Sequence, residues 1–406
     1  MRRLELLSLL GLAVAGGAAS PLPPPRPPTS PLPNLPGTFV RWDEMDRCPP
    51  LAPRATPRSA DEVRPDDFTV LMALGDSITA GFLARSGGNE GGNDRQHTFH
   101  TPLVAEEYRG VSYAIGGDPG ALTLPFLFSQ YANTSGASTG HHPPLACLAG
   151  VGQCSRHPEG DALNAAVSGS IAANLESQAR EYLVPAYEGL RADTGDDDDD
   201  GWAFLNVGIG ANDICAFCLS SGVFGPGTPQ EFAQGIRDAV QLVRNHVPRL
   251  IVNIMGVLRV SAIYKLTVDN PYCAGPFRPP HLPNLPLECS CAMLPGPLGD
   301  YTRSRMDDLS DRYDAAVLAL IDEWRTEDDP SFAVVWQPGQ AIELAHYPIT
   351  AVSDVDCFHP SEAAHRRLAA GVWNRLTMGL ADKAIPITWT EDIYVRCLED
   401  GDRVVR

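Results

Sequence analysis

No run of this sequence is apolar for long enough to cross a bilayer, which takes about twenty residues. The mainly apolar stretch Leu6 to Ala15 falls short, and no later stretch does better. A hydrophobic C-terminal tail is also missing, which argues against a glycolipid anchor. Positive charge is scarce: 31 Lys and Arg stand against 50 Asp and Glu, a net charge of −19. That deficit argues against nucleic acid or strongly anionic membranes as partners and suits neutral or zwitterionic substrates. Gly208-Ile209-Gly210 follows a strand-like run, but the third Gly of a dinucleotide-binding loop is missing and Asn212-Asp213 stand in its place. The Asp-rich run 193–200 lacks the alternate ligand spacing and closing Glu of a calcium loop, and reads as a solvated loop. Glycosylation sequons are equally sparse: Asn133-Thr134-Ser135 is the one found, which makes Asn133 the candidate acceptor.

What is present at the N-terminus reads as a secretory signal over residues 1–19. Arg2 and Arg3 precede the apolar stretch, and small residues Gly16 to Ser20 follow it. Ten cysteines then suit an oxidising compartment, and the expectation is a secreted, extracellular protein. Residues 20–66 begin with a proline-rich stretch, which favours extended, unpacked chain. They form either a surface strap, with Cys48 placed to tether it, or a disordered linker. The remainder divides into a hydrolase domain over 67–380 and a C-terminal extension over 381–406.

The chemistry is concentrated at Gly75-Asp76-Ser77-Ile78, which closes the apolar run Phe68 to Leu74. A serine at the end of a strand, where the backbone turns, is placed to meet a substrate. Far downstream stands Asp356-Cys357-Phe358-His359-Pro360. An Asp three residues before a His can orient and charge-stabilise the imidazole, which can then take the Ser77 proton. Asp354, five residues before His359, is a rival for that place. Between them lie Leu163 to Gly169, a short apolar run ending in Gly, and Phe204 to Asp213, a strand-like run ending in Gly-Ala-Asn-Asp. Acyl transfer develops a negative oxygen and needs fixed donors around it. A Gly N–H is unobstructed, and an Asn amide carries two hydrogens.

Gly-Asp-Ser, the downstream Gly, Gly-x-Asn-Asp and Asp-x-x-His together resemble the four sequence blocks of the GDSL, or SGNH, hydrolases. The resemblance implies Ser77 as nucleophile, His359 as base and Asp356 as its partner. It also implies an oxyanion hole of Ser77 N–H, Gly169 N–H and the Asn212 side chain. The run Ser112 to Asp118, Thr123-Leu124-Pro125, Asn164 to Gly169, Gln178-Ala179-Arg180 and Asn212-Asp213-Ile214-Cys215 are similar to the phospholipase B-like branch. The likeness runs from Phe68 to Met378, with Ile78 in place of the usual Leu and Pro360 where the branch often has a bulkier residue. It implies cleavage of acyl esters of phospholipids or lysophospholipids, including substrate at a membrane or micelle surface, with no cofactor, metal or protein partner. A carbohydrate acetyl esterase, a small-ester carboxylesterase and an idle binding protein on the same scaffold are the alternatives.

Periodicity supports an α/β fold with a mainly parallel sheet flanked by helices; the family resemblance implies a three-layer α/β/α sandwich, and the cysteines imply disulfide-stapled insertions. Strand-like runs fall at 68–74, 202–208, 249–257 and 332–336, with a shorter one at 163–167. Thr228-Pro229 with Glu231 marks a helix start ahead of Phe232, Ile236, Val240, Val243 and Val247. Met306 to Trp324 and Ala364 to Leu376 carry the same spacing. Ligands of such sheets bind beyond the carboxyl ends of the strands, which puts Ser77, Gly169 and Asn212 on one rim.

Several patterns are set aside. Gly136-Ala137-Ser138-Thr139-Gly140 has the spacing of a nucleophile elbow but not its strand-turn-helix setting, and reads as a flexible loop. His359, Glu362 and His365 do not make a metal site, since six helical residues turn the histidines about 240° apart. His141-His142 reads as polar surface. Cys215-x-x-Cys218, Cys273 and Cys289-x-Cys291 read as structural staples rather than a redox pair or a zinc site. Leu122, Leu124, Phe126, Leu127 and Phe128 either line an acyl groove, with Pro-rich stretches around 276–297 as its wall, or belong to the core.

Overall fold

A computed structural model describes residues 32, 35–85, 105–144, 156–194, 201–219, 227–271, 273 and 289–404. The expected signal segment, most of the Asp-rich run and most of the Pro-rich insertion lie outside them, as do Cys147 and Cys154.

Four strands make a parallel sheet in the order β2 (Phe68–Gly75), β3 (Trp202–Gly208), β4 (Leu250–Met255) and β5 (Phe332–Gln337). All four are buried almost throughout, which is why they read as unbroken apolar runs. Side chains alternate between two cores. Met72, Leu205, Val252 and Val334 face one, with the helices Pro229–Arg244 and Gly296–Thr326 packed over them. Leu71, Phe204, Ile251 and Val335 face the other, under the helices Leu124–Ser129 and Glu362–Arg375. This is the three-layer α/β/α sandwich. The helix at Pro229 starts as its sequence dictates: Thr228 and Glu231 form a reciprocal capping box.

The run 163–167 is not a strand of its own. It lies parallel along the outer edge of β2 through a single bridge, with Ala73 N donating to Leu163 O and Ala165 N to Ala73 O. From Leu35 onward the N-terminal region is packed against the body, with Met45, Ala60 and Val63 buried. Its strand β1 (Phe39–Arg41) pairs antiparallel with β6 (Tyr394–Arg396), and Cys48 is joined to Cys397. The strap is therefore clipped to the C-terminal extension. Cys215 is joined to Cys289, Cys218 to Cys291 and Cys273 to Cys357, so the C-x-x-C cysteines bond to the insertion and not to each other.

Leu122, Leu124, Leu127 and Phe128 belong to the core under the sheet, while Phe126 packs edge-on against Trp42. Phe128 stands within 5.1–5.4 Å of Phe68, Phe204 and Trp373, ring centre to ring centre. Phe128→Ala should lower the unfolding free energy by about 3–5 kcal/mol and leave KM for acyl esters unchanged. Urea unfolding beside steady-state kinetics checks both, and a selective loss of long-chain substrates would return this segment to the binding site.

Candidate active site

The four strands end level: Gly75 is opposite Gly208, Gly208 opposite Met255, and Met255 opposite Gln337. Beyond Gly75 the chain enters the helical turn Ser77–Ala80, capped by Asp76, whose carboxylate accepts from Ile78 N at 2.9 Å. A side chain at Gly75 would meet Thr79 Oγ1 at 2.3 Å and Gly208 O at 2.5 Å, so the turn closes this tightly only on glycine. Gln178 brackets the same residue, accepting from Gly75 N at 3.0 Å and donating to Gly75 O and Ser170 Oγ at 2.8 and 2.9 Å.

Ser77 Oγ lies 2.9 Å from His359 Nε2, and His359 Nδ1 lies 2.5 Å from Asp356 Oδ2. Asp356, not Asp354, thus holds the ring. Its other oxygen accepts from the N–H groups of Phe358 and His359 at 2.9 and 3.1 Å, which ties acid and imidazole to one tight loop. Cys357, at φ 56°, turns that loop and anchors it to Cys273. Burial alone would push the Asp356 carboxyl up, but the facing His359 charge and these hydrogen bonds outweigh it and hold it below the usual range. Phe82 stands edge-on to the imidazole at 4.8 Å.

The segment beside β2 ends at Ser168-Gly169. Gly169 has φ +83°, and an added Cβ there would touch nothing within 4 Å. Backbone conformation, not space, calls for glycine. Asn212, in the first turn of the helix Ala211–Phe217, donates one amide hydrogen to Ser170 O at 2.9 Å. Its amide carries a second. Asp213 accepts from Ala172 N with both oxygens at 3.1 Å, so Asn212 and Asp213 together hold the loop that presents Gly169. Ser77, Gly169, Asn212 and His359 all line one cavity of about 230 Å³. Its walls are apolar, built by Phe82, Leu258, Val260, Ile263, Leu344, Val352 and Phe358. None of residues 122–128 lines it.

Other candidates lie elsewhere. Ser138 is in a loop packed into the body rather than loose, buried and donating to Arg109 O at 3.0 Å. His142 is not surface: it is buried, with Nε2 2.9 Å from Asp161 Oδ1, while its neighbour His141 is exposed beside Glu106. His365 is buried and accepts from Tyr113 N at 3.2 Å, and burial pushes its pKa down to about 4, leaving it neutral. Among the described residues no group of three or more His, Cys, Asp and Glu is placed to hold a metal ion. Asn133 is exposed. The sequence around Gln178 and Asp213 does not reveal their roles, because their partners are backbone atoms distant along the chain.

A carboxyl rim so furnished is that of an ester hydrolase, and over residues 71–372 the chain matches the family described as GDSL-like Lipase/Acylhydrolase. It belongs to that family. Among curated proteins it is similar to membrane-associated phospholipase B1 of Rattus norvegicus, 28% identical over 360 residues, and of Homo sapiens, 27% identical over 366. These alignments take in 86% and 88% of this chain but 22% and 23% of the relatives, so the chain spans less than a quarter of their length. Among solved structures, the extracellular lipase of Streptomyces rimosus is 12% identical with a TM-score of 0.34, over 73% of this chain and 94% of that one. That likeness is too loose to bear on function.

Burial raises the carboxyl of Asp213 to about 7 and that of Asp76 to about 6. A carboxyl raised in the folded state favours folding at low pH, and its contribution is lost as pH rises through the folded value. For Asp213 the window runs from about 4 to about 7. Asp213→Asn keeps an acceptor for Ala172 N but removes the titration. The stability difference, variant minus wild type, should therefore rise with pH across that window. Thermal unfolding of both proteins at pH 4.5, 6 and 7.5 measures it, and a pH-independent difference would refute the assignment.

Proposed function

We propose that this protein is a secreted serine ester hydrolase that cleaves acyl esters of phospholipids or lysophospholipids through an acyl-enzyme. The observation that carries the reading is the Ser77–His359–Asp356 alignment, at 2.9 and 2.5 Å, opening onto an apolar cavity. Ser77 Oγ attacks the ester carbonyl carbon while His359 Nε2 takes its proton, and Asp356 offsets the charge the ring acquires. The oxyanion is held by Ser77 N–H, Gly169 N–H and the Asn212 amide. His359 gives the proton to the departing alcohol, and the C–O bond to it breaks. Water, deprotonated by the same ring, then releases the acid and restores Ser77. The ring needs its partner because an unpaired imidazolium at so buried a position would be costly.

An apolar cavity is the chemistry of an acyl chain rather than of an acetylated sugar, whose acetyl group needs little of it. The phospholipase B1 names of the relatives favour the same substrate class. Secretion is supported by the cysteines, since every described one is disulfide-bonded. The exposure of Asn133 suits its glycosylation.

Fatty-acid release from phosphatidylcholine and lysophosphatidylcholine, with acetylated xylan alongside, tests the reading. Ser77→Ala should abolish release, and Asn212→Ala should lower kcat by roughly 10²–10³-fold. Acetate release with untouched lipids would move the protein to the carbohydrate esterases. Leu344→Trp, on the cavity wall, should shift preference toward shorter acyl chains, read from kcat/KM across a chain-length series of p-nitrophenyl esters.

A further inference from the structure

Glu107 stands between the loops that carry Ser77 and Gly169. Its strand-like backbone is joined on one side to the exit of the nucleophile turn: Tyr108 N donates to Gly81 O at 2.9 Å and Leu83 N to Glu106 O at 2.8 Å. On the other side Glu107 and His142 exchange backbone hydrogen bonds at 2.8 and 3.2 Å. The carboxylate, with no exposure, accepts from Ser168 Oγ at 2.5 Å, next in chain to Gly169. Its other oxygen accepts from Arg109 Nη2 and Nε at 2.7 and 3.1 Å.

Arg109 is equally buried and explains why the group is there. Among the described residues the run 164–166 is the outermost chain of the sheet, with no further strand to take its carbonyls, and buried carbonyls must be paired. Arg109 supplies the donors, to Asn164 O at 3.0 Å and Ala166 O at 2.9 Å. Asp161, 2.9 Å from Arg109 Nε, and His142 on Asp161 complete a cluster of paired polar and charged groups. Such a cluster is costly to desolvate and is weak as a source of stability. What it does well is fix positions.

We propose that Glu107 is a positioning residue for the reaction, which through Ser168 sets the peptide N–H of Gly169, from a segment whose flanking residues Glu106 and Tyr108 are bonded to the exit of the turn bearing Ser77. Nucleophile and oxyanion donor then keep one spacing. The inference rests on the reading of Gly169 N–H as an oxyanion donor.

The test uses the full chain and three variants, Ser168→Ala, Glu107→Gln and the double, with p-nitrophenyl butyrate as substrate. A fluorophosphonate, which forms a tetrahedral adduct at the serine, gives a labelling rate and an active-site titre. Loss of donor alignment should lower kcat of Ser168→Ala about 10-fold, with KM within about twofold and the labelling rate falling in parallel. Ser168→Thr should restore most of the activity. Glu107→Gln should lose a similar factor, and the double variant no more than either single, the mark of one shared path. Single variants within about twofold of wild type in kcat would overturn the proposal. Losses that multiply in the double would do so too, making Ser168 a direct substrate contact. If Glu107→Gln does not fold, the Ala and Thr variants of Ser168 decide the matter, with kcat taken per labelled site. Ser77→Ala separates the two levels: activity surviving it overturns the site reading and this proposal together. A dead Ser77→Ala beside a normal Ser168→Ala overturns the positioning role alone.

Discussion

The register between β2 and β3, which sets Gly75 opposite Gly208, fixes how far Ser77 stands from Asn212 before any side chain is placed. Both residues follow their strand ends by a few positions, so neither can move without its strand. A parallel sheet buried on both faces leaves its carboxyl edge as the open place for a ligand. His359 then has to come to that edge from elsewhere. It does so on a loop held by the Asp356 carboxylate, by the Cys273–Cys357 bond and by Val352, which bridges to Pro360.

The rim is also where this protein keeps its buried polar groups. Asp76, Asp213, Asp356 and Glu107 all have little or no exposure, and each spends its oxygens on backbone N–H groups or on a paired side chain. None of them is an economical way to build a core, since burying a carboxyl costs several kcal/mol unless it is satisfied. Their common feature is that each fixes a backbone segment that bears a proposed reacting or donating group. Gln178 does the same without charge, holding Gly75 by both its N–H and its C=O. All five side chains are buried, and the low polarity around them strengthens each of these contacts.

Much of this was legible along the chain because the signals were local. Four apolar runs of strand length, a capping box at Thr228 and Glu231, and helical spacing in Met306 to Trp324 each depend on neighbours within a few residues. Asp356 and His359 could be read together because a carboxylate three residues back reaches the ring within one turn. The run 163–167 was harder: it bonds to β2 without the continuous pairing of a strand. The places of Leu122 to Phe128 and of His142 are not legible along the chain, for one reason. Burial depends on what packs over a residue, and the residues that cover these lie far off in sequence.

The sequence by itself determined the layered α/β plan, the residue types at the rim and their family. Period and composition encode the first, and short motifs encode the others. Only the tertiary structure decided that Ser77, His359 and Asp356 lie in one hydrogen-bonded line, since their spacing depends on strand register and loop closure. It likewise decided which apolar residues became walls of a cavity and which became core. It decided that Cys48 ties the N-terminal strap to the C-terminal extension. And it decided that the side chains of Glu107, Arg109, Asp161 and His142, unremarkable where they stand in the chain, meet as one buried cluster beside the Gly169 loop. Charge pairing is a property of distance in space, and a sequence carries that only through the fold.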